Sequence, residues 1–549
     1  MASRTRWRAA GLVGTGAFFL AGCRTSVPAG YHPAAHGPAD VQTAGVLSTY
    51  PGKALAPLPL PMPVDPKEKP KVRPFELPDK LPGAGAPVLV PPRFDKETPQ
   101  SERDAAVKKA YPELTPVSKT DMVPADGAPL TLADLRQMGV ANSPVIRRAA
   151  ADADAAYGQV IQAGLHPNPT AGYQSDQVTP WLRIPPGSTI GRGGQQGGFL
   201  NQLIKTAGKL RLAQQVAGYD FINAQVAVRR AEVDVSTAVR GQYFAVLVAR
   251  QGVEVNRALA ALADEVYRLQ LGQVAAGQAA GYEPLQVYSQ AEQARLALIQ
   301  SEAAYRAAWR QLAAAVGRPD LPPAPLDGSA EIAPPAFDQE RLKAWMVEQH
   351  TDLLTGRNTL AQAHTNLTLA RRNVIPDFQT NQYHEFDNVA QTYQYGLQLG
   401  FQFPVWDQNQ GNIRTAAARI GRAMADLEAV QNDLTGRLAE AYARYETNRA
   451  AAARYRDLIL PSLTRAYRAL VRRYQVEPDK VGFNDVVVAQ QNLATALQAY
   501  LTALDGQWRA VVDLANLGQL DDLFPPAPPP PAPPGPMPPP APLPDPKQP

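Results

Sequence analysis

The chain has 549 residues, 54 Lys and Arg against 50 Asp and Glu, a net charge of +4, one cysteine and 54 prolines. The near balance, with basic residues scattered through helical stretches, excludes a nucleic-acid binder of the kind that carries a basic stripe, and the single cysteine excludes an internal disulfide. Length alone suggests several domains, but the prolines crowd into residues 24–130 and 525–549, which leaves about 394 residues, 131–524, to fold.

The N-terminus reads as a targeting signal. Arg4, Arg6 and Arg8 precede an apolar run, Ala9 to Gly22, that is too short to span as a mature membrane helix. The run ends in Leu20-Ala21-Gly22-Cys23. A small-residue cleavage site followed directly by cysteine resembles a bacterial lipobox, which implies removal of residues 1–22 and lipid on Cys23. The plainer alternative is an ordinary secretory signal with a chance cysteine, and it too exports the chain. Arg24 stands where an acidic residue would retain a lipoprotein in the inner membrane, so outer-membrane delivery is expected. Residues 23–125 then form a proline-rich arm, with Pro57, Pro59, Pro61, Pro63 and Pro66 among Lys and Glu, as in a solvated spacer without a fixed fold.

Thr131-Leu132-Ala133-Asp134 opens a helix with a start like a capping box. The helical pattern, broken near Asn142-Ser143-Pro144, runs to Leu165 and stops at His166-Pro167-Asn168-Pro169. Thr170 to Val178 alternates as a strand, 179–194 is a Pro- and Gly-rich loop, and Gly198 to Lys205 is a second strand. Gly208 to Val274 holds no proline; Ala224, Ala231, Ala238 and Ala245 fall seven apart, and Leu259, Leu262, Val266 and Leu269 keep helical spacing. One coiled-coil-like helix, roughly 100 Å long at 1.5 Å per residue, is predicted. Gly277 to Gly281 end it. Glu283-Pro284 restart a helix that runs to Val316 and is stopped by Gly317-Arg318-Pro319, and 319–336 is a proline-rich linker.

The same order then recurs. A helix is predicted over Asp338–Val374, strands over Phe378–Phe386 and Tyr393–Phe403, a turn over Pro404–Gly411, and a long helix over Asn412–Tyr474 that Pro461 should kink. A turn at Val476 to Gly482 precedes a helix over Asn484–Leu517, closed by Gly518. Gly281-Tyr282 align with Gly482-Phe483, and Val316-Gly317 with Leu517-Gly518, at one constant offset. Residues 126–318 and 337–524 are therefore a duplication, followed by a second low-complexity segment, 525–549. Lengths suggest how the helices stack. Helices 284–316 and 338–374 laid end to end equal the first long helix, and 484–517 with 131–165 equal its copy. One chain then supplies four helical columns and four strands.

The strands have the length of tilted membrane-spanning β-strands. Unpaired edges cannot persist in lipid, and four strands are too few to close a barrel, so inserted strands require several copies. Two copies give eight strands and a lumen filled by side chains; three give twelve strands, room for a passage, and twelve helical columns. Alternatively, the strands cap a coiled-coil scaffold in solution. Tyr173, Trp181, Tyr383, Tyr393, Tyr395 and Trp406 lie in or near the strands, as aromatic girdles at membrane interfaces would and as strand propensity alone would allow.

Over about 131–524 the chain resembles the TolC family of outer-membrane efflux channels. The resemblance rests on the duplicated order, Asn142-Ser143-Pro144, Pro167-Asn168-Pro169, Tyr474-Gln475-Val476 followed by Gly482-Phe483-Asn484-Asp485-Val486-Val487, and Phe403-Pro404-Val405-Trp406-Asp407-Gln408-Asn409-Gln410-Gly411. The last of these is similar to a turn of lipidated members serving resistance-nodulation-division pumps, and the heavy-metal branch fits best. The resemblance implies a mostly α fold with membrane β-strands, a duplicated helix-strand-strand-helix-helix repeat, and a homotrimer with a 12-stranded β-barrel in outer-membrane lipid and a 12-helix periplasmic tunnel. It implies a passive exit duct whose hairpin tips meet a periplasmic adaptor joined to an inner-membrane pump. The tips would be shaped by Gly277, Gly281, Tyr282, Val476, Gly482 and Phe483. Asp485 would stand in a threefold ring of carboxylates at the narrow end, a gate candidate; it also stands where a helix begins and its dipole favours an acid. The long arm and the proline tail depart from the family, and neither is expected to touch the channel. Pro284 stands where the second half has Asp485.

The six histidines form no ligand pair with a third ligand nearby, so neither a metal nor a cofactor is indicated. No nucleophile elbow, phosphate loop or HExxH motif occurs, so an enzyme is not expected. Two other readings remain at this point: the exit duct of a protein secretion system, and a structural coiled-coil lipoprotein linking membrane and wall. The transported substrate is not readable, because in such systems the pump selects it.

Overall fold

The computed structural model describes residues 80–524, apart from 88, 96, 118–127, 177–193, 389 and 478–479. Cys23, Trp181 and the tail 525–549 lie outside the described residues. Two units are distinguished. In Met1–Ala86 only a turn is described, closed by the Ala84 amide on the Leu81 carbonyl at 3.0 Å. Pro87–Pro549 carries everything that follows.

The described elements, in order, are α1 (Gln100–Ala110), α2 (Leu132–Asn142), α3 (Pro144–Gly164), β1 (Thr170–Asp176), β2 (Gln195–Ile204), α4 (Lys209–Ala275), α5 (Glu283–Ala315), α6 (Gln339–Gln349), α7 (Thr351–Arg372), β3 (Phe378–Asp387), β4 (Thr392–Phe401), α8 (Gln410–Arg454), a π turn (Tyr455–Ile459), α9 (Leu460–Val476) and α10 (Phe483–Leu517). The fold is mostly helical and duplicated, as expected. No helix among the described residues is long and apolar enough to cross a membrane.

Local chemistry sets most boundaries. The Thr131 hydroxyl accepts the Asp134 amide at 3.1 Å while Asp134 takes the Thr131 amide at 3.1 Å, a reciprocal cap on α2. Ser143 Oγ accepts the Val145 and Ile146 amides, and Pro144 occupies the first turn of α3, so the chain turns between α2 and α3 without an unsatisfied donor. The single helix predicted over 338–374 is instead two, broken at His350, whose Nδ1 accepts the Asp352 amide at 3.2 Å. This is the second-half counterpart of the Ser143 break, made without serine or proline.

The C-terminal ends of α5 and α10 show a small difference between the halves. Gly317 adopts φ +76°, with the Gly317 amide on Ala314 and the Arg318 amide on Ala313, a Schellman motif. On α10 the left-handed residue is Gln519 (φ +49°), with its amide on Asn516 and the Leu520 amide on Ala515. Gly518, expected to close this helix, keeps right-handed geometry. Relative to α5, α10 is two residues longer, one at each end.

The four strands form one antiparallel meander, β1-β2-β3-β4. The two halves meet at its centre, where Gln195–Ile204 pairs with Asp387–Phe378. Among the described residues of this chain β1 and β4 each keep an open edge.

The helical stacking differs from the length-based expectation. The end of α5 abuts the start of the α2–α3 pair: a methyl added at Gly317 would lie 3.0 Å from the Asn142 Cβ, and Gly139 faces Val239 and the Ala315 carbonyl. The end of α10 abuts α6–α7, with Trp345 Nε1 donating to the Gly518 carbonyl at 2.9 Å and Gln519 Nε2 to Thr351 Oγ1 at 2.7 Å. Each half therefore stacks its own short helices, 284–316 with 131–165 and 484–517 with 338–374. Because α5 and α10 are nearly equal in length, length could not distinguish the two arrangements.

The main core lies where these joints meet the long helices. Trp508 is buried, stacks on Phe244 with centroids 3.8 Å apart, and donates to the Ala330 carbonyl at 2.7 Å. The 319–336 linker is pinned along its length: Trp309 donates to Leu321 at 3.0 Å, Tyr445 to Pro335 at 2.7 Å, and Leu130 exchanges backbone bonds with Pro325 and Asp327. The ladder of the second long helix widens at the π turn just before Pro461, where a proline lacks the amide that would continue it.

Candidate functional site

The sheet presents two unlike faces. Tyr393, Tyr395, Leu397, Leu399 and Phe401 of β4 share a face with Phe386, His384 and Phe378 of β3, Leu200 and Ile204 of β2, and Tyr173 of β1. Most of these side chains are exposed in this chain, Tyr393 at 73% and Leu399 at 67%. Aromatic rings collect at the two ends of the face. Phe386, Tyr393 and His384 pack at one end and Phe378, Phe401 and Phe403 at the other, with leucines and the polar Thr380, Gln382 and Gln202 between. From Phe378 to Phe386 the band is about 27 Å long along the strand at 3.4 Å per residue, or about 21 Å along the axis of a barrel whose strands tilt by ~40°, near the apolar belt of a transmembrane barrel. The other face is polar. Gln174 donates to the buried Glu385 at 2.5 Å, Gln394 to Asp387 at 3.2 Å and Gln379 to Asn201 at 3.1 Å. On that side the Tyr383 and Phe199 rings lie flat across Gly396 and Gly172, their partners in register.

A charged lock joins sheet to helices. Asp377, just before β3, accepts from Lys205 and Lys209 at 2.8 Å each and from the Thr206 amide at 3.0 Å. Burial alone would raise the Asp377 carboxyl, but the two ammonium groups and the amide outweigh it and hold it well below the usual carboxylate range.

The first hairpin tip lies between α4 and α5. Gly277, at φ +73°, closes α4 in a Schellman motif, its amide on Val274 and the Gln278 amide on Gln273. Tyr282 is exposed at 65%. Gly281 is covered, since a methyl there would lie 2.3 Å from Pro91. The arm was expected not to touch the channel, and the described residues of 87–117 overturn that expectation. They contain α1, and Val107 and Tyr111 are buried against Val274 and Ala275. The Tyr111 hydroxyl donates to the Gly281 carbonyl at 2.6 Å, the Tyr267 hydroxyl to Pro112 at 2.8 Å, and Arg295 to Thr115 at 2.8 and 2.9 Å. Burial pushes the Tyr267 phenol up to about 12, so it remains a donor throughout the neutral range. The apolar positions Leu89, Phe94 and Val107 within a proline-rich, charged segment were the only available signal for this contact.

The second tip, between α9 and α10, is not covered by α1 among the described residues; of the arm, Leu114 reaches the cluster that holds its Phe483. Val476 is exposed at 73%. Phe483 packs on Tyr474, with centroids 5.8 Å apart, and also against Tyr267 and Val287 of the first hairpin. The Gly482 amide donates to the exposed Asp485 carboxylate at 3.1 Å. Asp485 thus caps α10, as its position at a helix start suggests. The six tip residues singled out from the sequence fall on the two hairpin ends. Among the described residues, no group of His, Cys, Asp and Glu could hold a metal ion.

A family model described as outer membrane efflux protein matches residues 346–518. The cobalt-zinc-cadmium resistance protein CzcC of Cupriavidus metallidurans is 23% identical over 404 residues, 73% of this chain and 93% of CzcC. Among solved structures, CusC aligns with a TM-score of 0.60 at 15% identity, covering 74% of this chain and 98% of CusC. The outer membrane protein VceC of Vibrio cholerae aligns at 0.58 and 16% identity, covering 70% of this chain and 96% of VceC. The chain thus shares the fold of solved outer membrane efflux channels, and its second half carries a segment that matches the outer membrane efflux protein family.

Proposed function

We propose that the chain is the exit duct of a tripartite efflux system, assembled as a homotrimer. The observation that carries this reading is the four-stranded meander with two open edges and one aromatic-rimmed apolar face. Open edges are untenable in lipid, and three copies joined β4 to β1 give twelve strands, with the apolar face toward outer-membrane lipid and the Glu385–Asp387 face toward the lumen. The long helices carry the passage about 100 Å further at 1.5 Å per residue, and the tips meet a periplasmic adaptor linked to an inner-membrane pump. Residues 1–22 are a cleaved signal, Cys23 is lipidated, and 126–318 and 337–524 are the two repeats on either side of the linker. The cargo is small molecules or metal ions, and similarity to the cobalt-zinc-cadmium resistance protein CzcC favours metal ions. At the second tip three exposed Asp485 carboxylates favour cations at the narrow end while each caps its helix.

Single-channel recording in planar bilayers, with imaging of the detergent-solubilised protein, tests this reading. Discrete conductance from a hollow threefold particle is expected, and Asp485→Asn should lower cation selectivity. A non-conducting, solid or twofold particle would refute it.

A further inference from the structure

The arm segment 87–117 does more than connect. It lies over the end of α4 and the start of α5, with Val107 and Tyr111 buried, Pro91 closing over Gly281, and Arg295 held between Asp264 (2.8 Å) and the Thr115 carbonyl. Leu114 reaches the cluster where Tyr267, Val287 and Phe483 of the two hairpins meet. Each of these contacts buries an apolar side chain or satisfies a donor, as in a built interface. The segment turns its charged side outward, with Glu102, Asp104, Lys108 and Lys109 exposed.

We propose that residues 87–117 are a tethered ligand of the first hairpin tip. They occupy in cis the α4–α5 face that an adaptor hairpin would otherwise use, so the α9–α10 tip is the open docking tip of each chain. This inference rests on the exit-duct reading, which makes the tips docking surfaces. Adaptor engagement at the first tip then requires release of the strap, and a partner arriving while it is seated meets its charged outer side instead of Val274, Ala275 and Tyr267. The arm has enough contour for this placement with a lipid on Cys23. The residues between Cys23 and Pro87 can extend to about 200 Å at 3.3 Å each, twice the length of α4.

The test uses the full-length purified protein carrying Ala275→Cys, read against the parent whose only cysteine is Cys23. Ala275 is 1% exposed beneath the strap. Its reaction with a maleimide should be slow in the intact chain and at least tenfold faster after deletion of 87–117. Val107→Asp, which keeps chain length and leaves α4 and α5 unaltered, should speed labelling severalfold even if the deletion variant folds poorly. Val476→Cys at the open tip should label rapidly in every background. A synthetic peptide of residues 87–117 should bind the deletion variant saturably, restore protection, and leave the intact protein unbound. Equal labelling rates in all backgrounds, or saturable peptide binding to the intact protein, would overturn the proposal. Bilayer conductance of the same samples separates the two readings. A conducting protein with an unprotected Ala275→Cys refutes the strap alone, and a protected but non-conducting protein refutes the duct alone.

Discussion

The two long helical runs have equal reach and unequal construction. α4 is one uninterrupted α-helix of 67 residues, whereas Gln410 to Val476 covers the same length as α8, a π turn and α9. The first run ends in a tip covered by α1, the second in a tip without that cover among the described residues. Duplication thus preserved the length of the two hairpins and let continuity and covering diverge. The continuous run is the one braced by the strap; the run with a widened ladder at Pro461 carries the open tip.

The sharpest way to break this comparison is at the joint both halves share. Trp508→Ala removes a buried indole that stacks on Phe244 of the first half. It should cost about 3–5 kcal/mol, read as a lowered midpoint in chemical denaturation. If hydrogen exchange then rises only in second-half helices, the halves are less coupled than their core implies. Next is the lock between α4 and β3. Asp377→Asn leaves Lys209 buried without its charge partner and should cost about 2–4 kcal/mol. The Asp377 carboxyl is depressed in the folded state, so its stabilisation is full above the unfolded carboxylate value near 4 and is lost as pH falls through the lower folded value. Thermal unfolding from pH 7 to 3 should lose part of its acid sensitivity in Asp377→Asn.

Smaller effects separate the helix ends. Gly277→Ala forces a side chain into left-handed backbone and should destabilise by about 1 kcal/mol, whereas Gln519→Gly relieves the same backbone strain but removes the side-chain bonds to Thr351, so two effects of about 1 kcal/mol each should nearly offset. Equal and negligible shifts in melting temperature would remove the distinction. Smallest in energy is Pro461→Ala, which restores an amide and should shift stability by under about 1 kcal/mol while increasing protection of amides around Tyr455–Ile459 in hydrogen exchange. A π turn that persists in this variant would assign the widening to packing rather than to proline.

Much of the candidate site was legible from local chemistry. Alternation in Tyr393–Phe403 announced a strand, observed over Thr392–Phe401, and the glycines at 277, 281 and 482 marked the tips. The strap was not legible in the same way, because Val107 and Tyr111 sit in a stretch whose prolines and charges outweigh them until α4 and α5 supply a surface. Asp485 allowed two roles in sequence. The hydrogen bond from the Gly482 amide supplies the cap directly, while a ring of carboxylates depends on neighbouring copies.

By itself the sequence determined the two rods, the four strands, the duplication and most stop signals, since helical period, strand alternation and capping act over a few residues. Tertiary structure alone decided that each half stacks its own short helices, that α6 and α7 part at His350, that Gln519 rather than Gly518 turns left-handed, and that residues 87–117 seat on the first tip. Those outcomes depend on contacts between residues far apart in the chain, including Gln519 on Thr351 beside the local His350 cap, where several partners of similar length and polarity are locally equivalent and only simultaneous packing of the core selects among them.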